Sequence, residues 1–168
     1  MCIRDRPKRS TPVVREALEC VGGNGYVEES ILPRLYREAP LNAIWEGAGN
    51  VIALDVLRAL RRSPESGAAF VAELAQARGA DRLFDRTLDR LQETLAAPAE
   101  GREGEAGARR LVEQLATAWA ASLCLRHEPE IADAYLRSRL GGDWGAEFGT
   151  LPADTDLVAL SARALPVG

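Results

Sequence analysis

Apolar residues recur at three- and four-residue steps along most of the chain, and no convincing two-residue alternation bounded by turns is present. The stretch "STPVVREALECVGG" predicts a helix with Ser10 or Thr11 as cap, Pro12 at the first helical position and Gly22 as its stop. "GNVIALDVLRALRR" sets Val51, Leu54, Leu57 and Leu60 at helical spacing and ends on basic residues. "SPESGAAFVAELAQARG" opens on Ser-Pro and closes on Gly79, and "DRLFDRTLDRLQETLAAP" runs to Pro98 with Leu83, Leu88 and Leu91 on its inner side. After the polar linker "APAEGREGEAG" come "ARRLVEQLATAWAASLCLRHE", "EIADAYLRSRL" and "DTDLVALSARAL". The last two are separated by "GGDWGAEFGTLPADT", which is too glycine-rich for regular structure. The pattern is that of an all-α bundle whose helices bury apolar stripes against one another.

At 168 residues the chain can form one sizeable core with a small appendage. The opening "MCIRDR" does not join smoothly onto the residues after it and is read as a non-native leader, residues 1–6, on a piece of a longer protein. No apolar run approaches the roughly 20 residues that span a bilayer, and no membrane partner is expected. Cys2, Cys20 and Cys124 lack any C-x-x-C pairing and His127 is the single histidine, so no metal site is expected. Free thiols in a reducing cytoplasm fit this cysteine usage. The same scarcity argues against Ser-His or Cys-His nucleophilic catalysis, and His127 reads as a helix-end residue. Trp119 and Trp144 read as core and loop packing.

Charge divides unevenly. Residues 1–65 carry a net +1 and residues 66–162 a net −6, against the basic lean expected of a nucleic-acid-binding half. Arg78, Arg82, Arg86 and Arg90 recur every fourth residue, with Asp81, Asp85 and Asp89 three residues behind the first three. Gly79-Ala80 would start a new helix and take Arg78 out of register. The repeat reads either as a self-neutralising solvated face or as a phosphate-contacting stripe that the aspartates oppose.

Two stretches hold candidate chemistry. "CVGGNGYVEE" places Gly22, Gly23 and Gly25 directly after a helix. One glycine suffices for a left-handed cap, and the others allow either chain reversal or close approach of backbone N–H groups to a phosphate or sugar. "NAIWEGAGNVI" then sets the Glu46 carboxylate between Ile44 and Trp45 on one side and Gly47, Ala48 and Gly49 on the other. That arrangement suits a tightly packed helix entrance, or a proton-abstracting base beside a large flat ligand.

Gly-Gly-x-Gly-Tyr, then "LPRLYREA", then an aromatic-Glu-Gly turn opening a helix resembles the C-terminal domain of the acyl-CoA dehydrogenases over residues 12–62. The wording "RLYREAPLNAIWEGAGNVIALDVLRAL" with "DRLFDRTLDRLQ" is most similar to the AidB-type branch, linked to the adaptive response to alkylation damage. The resemblance implies an acyl-CoA dehydrogenase C-terminal bundle on residues 7–65 and a helical extension on residues 66–168. It implies FAD as cofactor, an acyl-CoA-like substrate and a homo-oligomer such as a homotetramer, since the C-terminal helices of the family build dimers and tetramers. It assigns Glu46 as the base that takes the acyl α-proton while hydride leaves for the flavin. Gly22, Gly23, Gly25, Ile44, Trp45, Gly47, Ala48, Gly49 and Asn50 become cofactor contacts, and Arg58 a candidate for the substrate pocket. Family members commonly carry Thr and Gln where this sequence has Ala48 and Asn50, which removes a hydroxyl worth about 1 kcal/mol as a hydrogen bond. Association with duplex DNA through the extension, with Arg78, Arg82 and Arg86 as contacts, is the alternative that the branch implies. A purely structural oligomerisation bundle is the third. The family builds its site with an N-terminal helical domain and a β-domain as well, so this chain by itself is expected not to catalyse.

Overall fold

The computed structural model describes residues 2–45, 47–96, 104–145 and 147–164. Every regular element among them is helical. In chain order these are α1 (Cys2–Glu19), α2 (Leu32–Glu38), α3 (Gly49–Arg62), α4 (Pro64–Leu74), α5 (Arg82–Ala96), α6 (Ala108–His127), α7 (Pro129–Arg139) and α8 (Leu157–Ala164). Short 3₁₀ turns occupy Gly22–Gly25 and Ala39–Ala43. The fold is all-α, as the periodicity predicts. Residues Met1–Pro64 and Ala99–Ala116 form one compact unit, and Glu65–Pro98 with Thr117–Gly168 form a second.

In the first unit α1 is the support. It packs against the Gly22–Gly25 turn, α2, the Ala39–Ala43 turn and α3. The expected cap at Ser10 or Thr11 is not used, because α1 passes through Pro7 and Pro12 without a break. Proline's fixed φ is helical, and its missing N–H forfeits one bond per residue. Ser10 lies inside the helix, where its hydroxyl donates to the Pro7 carbonyl at 2.7 Å and also to the Ala39 carbonyl at 3.5 Å. On α3 the buried residues are Gly49, Ala53, Leu57 and Leu60. The apolar stripe therefore differs from the expected one, since Val51 is 51 % exposed and Leu54 only half-buried. Ala53 lies on the buried face four residues from Leu57, while Val51 falls off that face.

In the second unit the chain breaks between α4 and α5, with Arg78 extended and Gly79 at φ +86, so Arg78 does leave the α5 register. Asp81 starts α5, accepting the Leu83 and Phe84 N–H groups at 2.7 and 2.9 Å. The buried stripe of α5 is Phe84, Leu88 and Leu91, at steps of four and three; Leu83 is only half-buried. Trp119 on α6 stacks on Phe70 of α4 with ring centroids 5.5 Å apart, and Arg126 pairs with Glu73 at 2.7 Å. His127 closes α6. Arg139, the last residue of α7, lies over the Trp144 ring at 4.5 Å, which fixes the start of the glycine-rich loop.

Candidate functional site

The glycine cluster and the turn that opens α3 both belong to the first unit, and α1 supports both. Arg78, Arg82 and Arg86 belong to the second.

The three clustered glycines do different things. Gly22 sits at φ +61, a conformation that side-chain-bearing residues adopt only with strain. Gly25 is buried, and a Cβ there would fall on the carbonyl oxygen of Leu18, so the turn lies directly on the end of α1. Gly23 has no such reason. Its φ is ordinary, it is exposed, and a Cβ added to it would meet nothing within 4 Å. The fold of this chain does not require glycine at position 23.

The segment after the turn is tied down by side chains. The Ser30 hydroxyl donates to the Asn24 carbonyl at 3.3 Å and accepts the Leu32 N–H at 3.3 Å. Arg37 on α2 reaches back to Glu28 in a two-pronged pair, at 2.7 and 3.3 Å. The donated hydrogen bond from Arg37 holds the Glu28 carboxyl below its ordinary range, and the same contact raises Arg37. Both groups are exposed, so the pair fixes direction more than it stabilises. Between α1, this segment and α2 lies a groove of about 740 Å³, walled by Leu18, Tyr26, Val27, Pro33 and Tyr36 with the Arg37–Glu28 pair on its rim. Tyr26 stands 81 % exposed. The glycines were visible in the sequence, but the groove was not. Its lining includes an ion pair nine residues apart, a spacing that no helical or strand period marks.

The entrance to α3 has its own geometry. Ile44 and Trp45 end the preceding turn, with N–H groups donating to the Leu41 carbonyl at 2.9 and 3.2 Å. Both side chains are exposed, by 62 % and 60 %. Gly47 takes φ +116, which demands glycine, and Ala48 caps α3 in extended conformation without any side-chain bond. Gly49 is buried and Asn50 exposed. Glu46, the expected base, lies outside the described residues, as do residues 97–103 of the polar linker. Arg58 is exposed and pairs with Asp55 one turn back at 2.6 Å, facing solvent in this chain.

In the second unit, each aspartate of the arginine repeat has a partner other than the arginine three residues before or after it. Asp81 caps α5, Asp85 accepts the Gly79 N–H at 3.0 Å, and Asp89 binds Arg78 at 2.8 Å. Arg82, Arg86 and Arg90 are exposed along one face of α5, with no carboxylate partner among the described residues.

Residues 7–61 match the family of acyl-CoA dehydrogenase C-terminal domains. Over these residues the chain is similar to the C-terminal domain of the acyl-CoA dehydrogenases. The chain is 52 % identical over 98 residues to the putative acyl-CoA dehydrogenase AidB of Escherichia coli (strain K12), a stretch covering 57 % of this chain and 18 % of that protein. It is 39 % identical over 88 residues to acyl-CoA dehydrogenase family member 11 of Caenorhabditis elegans, covering 52 % of this chain and 14 % of that one. The chain thus spans less than a fifth of either relative's length. The dehydrogenase segment includes both the glycine turn and the α3 entrance. No helix among the described residues is long and apolar enough to cross a membrane.

Proposed function

We propose that this chain is the C-terminal part of an FAD-dependent, AidB-type acyl-CoA dehydrogenase-like oxidoreductase. The observation that carries the reading is Gly23, a residue left bare within the dehydrogenase segment although neither backbone nor packing asks for it. Open space over an exposed turn suits close approach by a phosphate-bearing group, with turn N–H groups as donors. The residues present fit such a cofactor. Gly22 and Gly23 would contact its phosphates, with Gly25 seating the turn on α1, and Ile44, Trp45, Gly47, Ala48, Gly49 and Asn50 would contact its ring system. Bound FAD would supply a two-electron acceptor for hydride.

The chain's own part is the proton. Glu46 is assigned the α-hydrogen of an acyl thioester. Covering the now exposed Ile44 and Trp45 would desolvate that carboxylate, raise its pKa and bring it closer to the task. Gly47 turns the backbone between the acid and α3 without a side chain in the way. Ala48 offers no hydroxyl, so Asn50 is the polar side chain left there to meet the cofactor. Arg58 reaches a substrate only by giving up Asp55.

The test uses the longer protein that contains this chain. Glu46→Gln should keep stoichiometric FAD yet lose flavin bleaching by acyl-CoA. Gly23→Val should lose FAD itself. A colourless wild-type protein, or a Glu46→Gln variant that still bleaches at the wild-type rate, overturns the reading. The 168-residue chain alone is expected to retain no stoichiometric FAD.

A second reading is duplex DNA association. Arg82, Arg86 and Arg90 present three cations on one helix face, and of the aspartates between them Asp85 accepts the Gly79 N–H and Asp89 pairs with Arg78. Arg78 is already committed to Asp89 and Gln92. Three phosphate contacts would give a salt slope of about −2.7 in the logarithm of affinity, which Arg→Gln at all three positions should abolish. Salt-independent retention, or none at low salt, eliminates it.

A further inference from the structure

We infer that Asp154–Ala164, comprising α8 and its lead-in, is a strap pinned to α7 by charge and released by ionic strength. None of the α8 side chains is fully buried. Leu157 and Val158 are 62 % and 79 % exposed, and only Ala159 and Leu160 are half-buried. An eight-residue helix does not hold itself together in water. What holds this one is ionic at both ends.

At the leading end, Arg137 of α7 donates to Asp154 at 2.9 Å, and it also binds Asp143 at 3.1 Å and Asp133 at 3.6 Å. At the far end, Arg163 pairs with Glu128 and, at 3.3 Å, with Glu130, at the start of α7. In between, Asp156 caps the helix by accepting the Ala159 N–H at 2.9 Å, a bond internal to the strap. All these charged groups are partly or largely exposed, so added salt screens them. The helices beneath are held differently. Ala132 and Leu136 of α7, and Phe84, Leu88 and Leu91 of α5, are buried apolar groups whose association salt does not weaken. The two attachments therefore part company as ionic strength rises. The strap lifts while the core of the unit stays closed, freeing Leu157, Val158 and Leu160 and uncovering Glu128, Glu130 and Arg137.

Hydrogen–deuterium exchange on the whole chain at about 0.05 M and about 0.5 M NaCl, between which the screening length shrinks roughly threefold, reads this directly. The α8 amides should exchange about three- to tenfold faster at the higher salt, while α5 amides keep their rate. Arg163→Met, which keeps the apolar stem, should show the fast α8 exchange already at low salt, and Arg163→Lys should stay close to wild type. Equal α8 exchange at both salt levels overturns the inference. So does a methionine variant indistinguishable from wild type, or a salt effect that reaches α5 equally.

Discussion

Gly23 and Gly25 stand two positions apart and should respond in opposite ways to the same methyl group. Gly25→Ala drives a Cβ into the Leu18 carbonyl, and with backbone as the obstacle the turn itself has to move. A loss of about 1–3 kcal/mol in urea-monitored stability is expected. Gly23→Ala meets open space at an ordinary φ, and by reducing unfolded-state freedom should be neutral or stabilising by up to about 1 kcal/mol. If both variants lose stability equally, the distinction drawn between the two glycines is wrong. The cluster was legible in the sequence, but the division of labour was not. It is set by the Leu18 carbonyl, a backbone atom whose position depends on where α1 ends. Burial is as decisive at the thiols. Desolvation, helped by Glu128, pushes the Cys124 thiol above its ordinary range, whereas Cys20 is exposed. With a disulfide reagent at about pH 8, Cys20 should be modified well before Cys124, read by peptide mass.

The helices themselves show which signals the sequence carries reliably. Caps with side-chain chemistry were readable only in part. Pro64 does open α4, yet the Ser-Thr-Pro at residues 10–12 marks no boundary at all, because α1 already extends through it. Asp81 is a working cap that the arginine–aspartate repeat disguised as a charge pattern. Ala48 is the converse, a residue with a cap's backbone, φ −57 and ψ 146, and no oxygen to use. Ala48→Thr should therefore stabilise the chain by about 0.5–1 kcal/mol, measured by thermal or urea unfolding. The same hydroxyl should tighten FAD retention in the longer protein if the proposed function holds. The α7–α8 segment adds a pH dependence of definite sign. The hydrogen bond from Arg137 lowers the Asp154 pKa, so the folded state binds that proton less readily than the unfolded chain. Its contribution is fully present above the ordinary Asp range and disappears as pH falls through the lowered folded value. Protection of α8 should thus be flat from about pH 7 to about pH 5 and decline only in stronger acid. A loss centred near pH 6 would point to a different group.

Taken as a whole, the molecule distributes its exposed apolar surface unevenly. Among the described residues, eleven of the sixteen large apolar side chains that face solvent fall between Val13 and Val51, including Tyr26, Ile31, Ile44 and Trp45. Surface leucines scattered singly require no explanation, whereas a concentration within one unit is apolar surface that a partner can cover. The periodicity could not foretell this, since alternation of apolar and polar positions reports which face a helix buries somewhere, not whether the covering partner is in the same chain. Val51 makes the point. It completes a good helical stripe in the sequence and yet stands outside the buried face of α3. A chain presenting such a surface at high concentration should cover it with itself. Sedimentation velocity is expected to show reversible association over tens of micromolar, accompanied by a blue shift of tryptophan emission as Trp45 leaves water. Trp45→Ser should raise the concentration needed and remove most of the shift, while Trp144→Ser, in the other unit, should leave the association unchanged. Were Trp144→Ser to dissolve the oligomer and Trp45→Ser to spare it, the surface that seeks cover would be the glycine-rich loop before α8, and the dehydrogenase segment would have to be regarded as content with solvent.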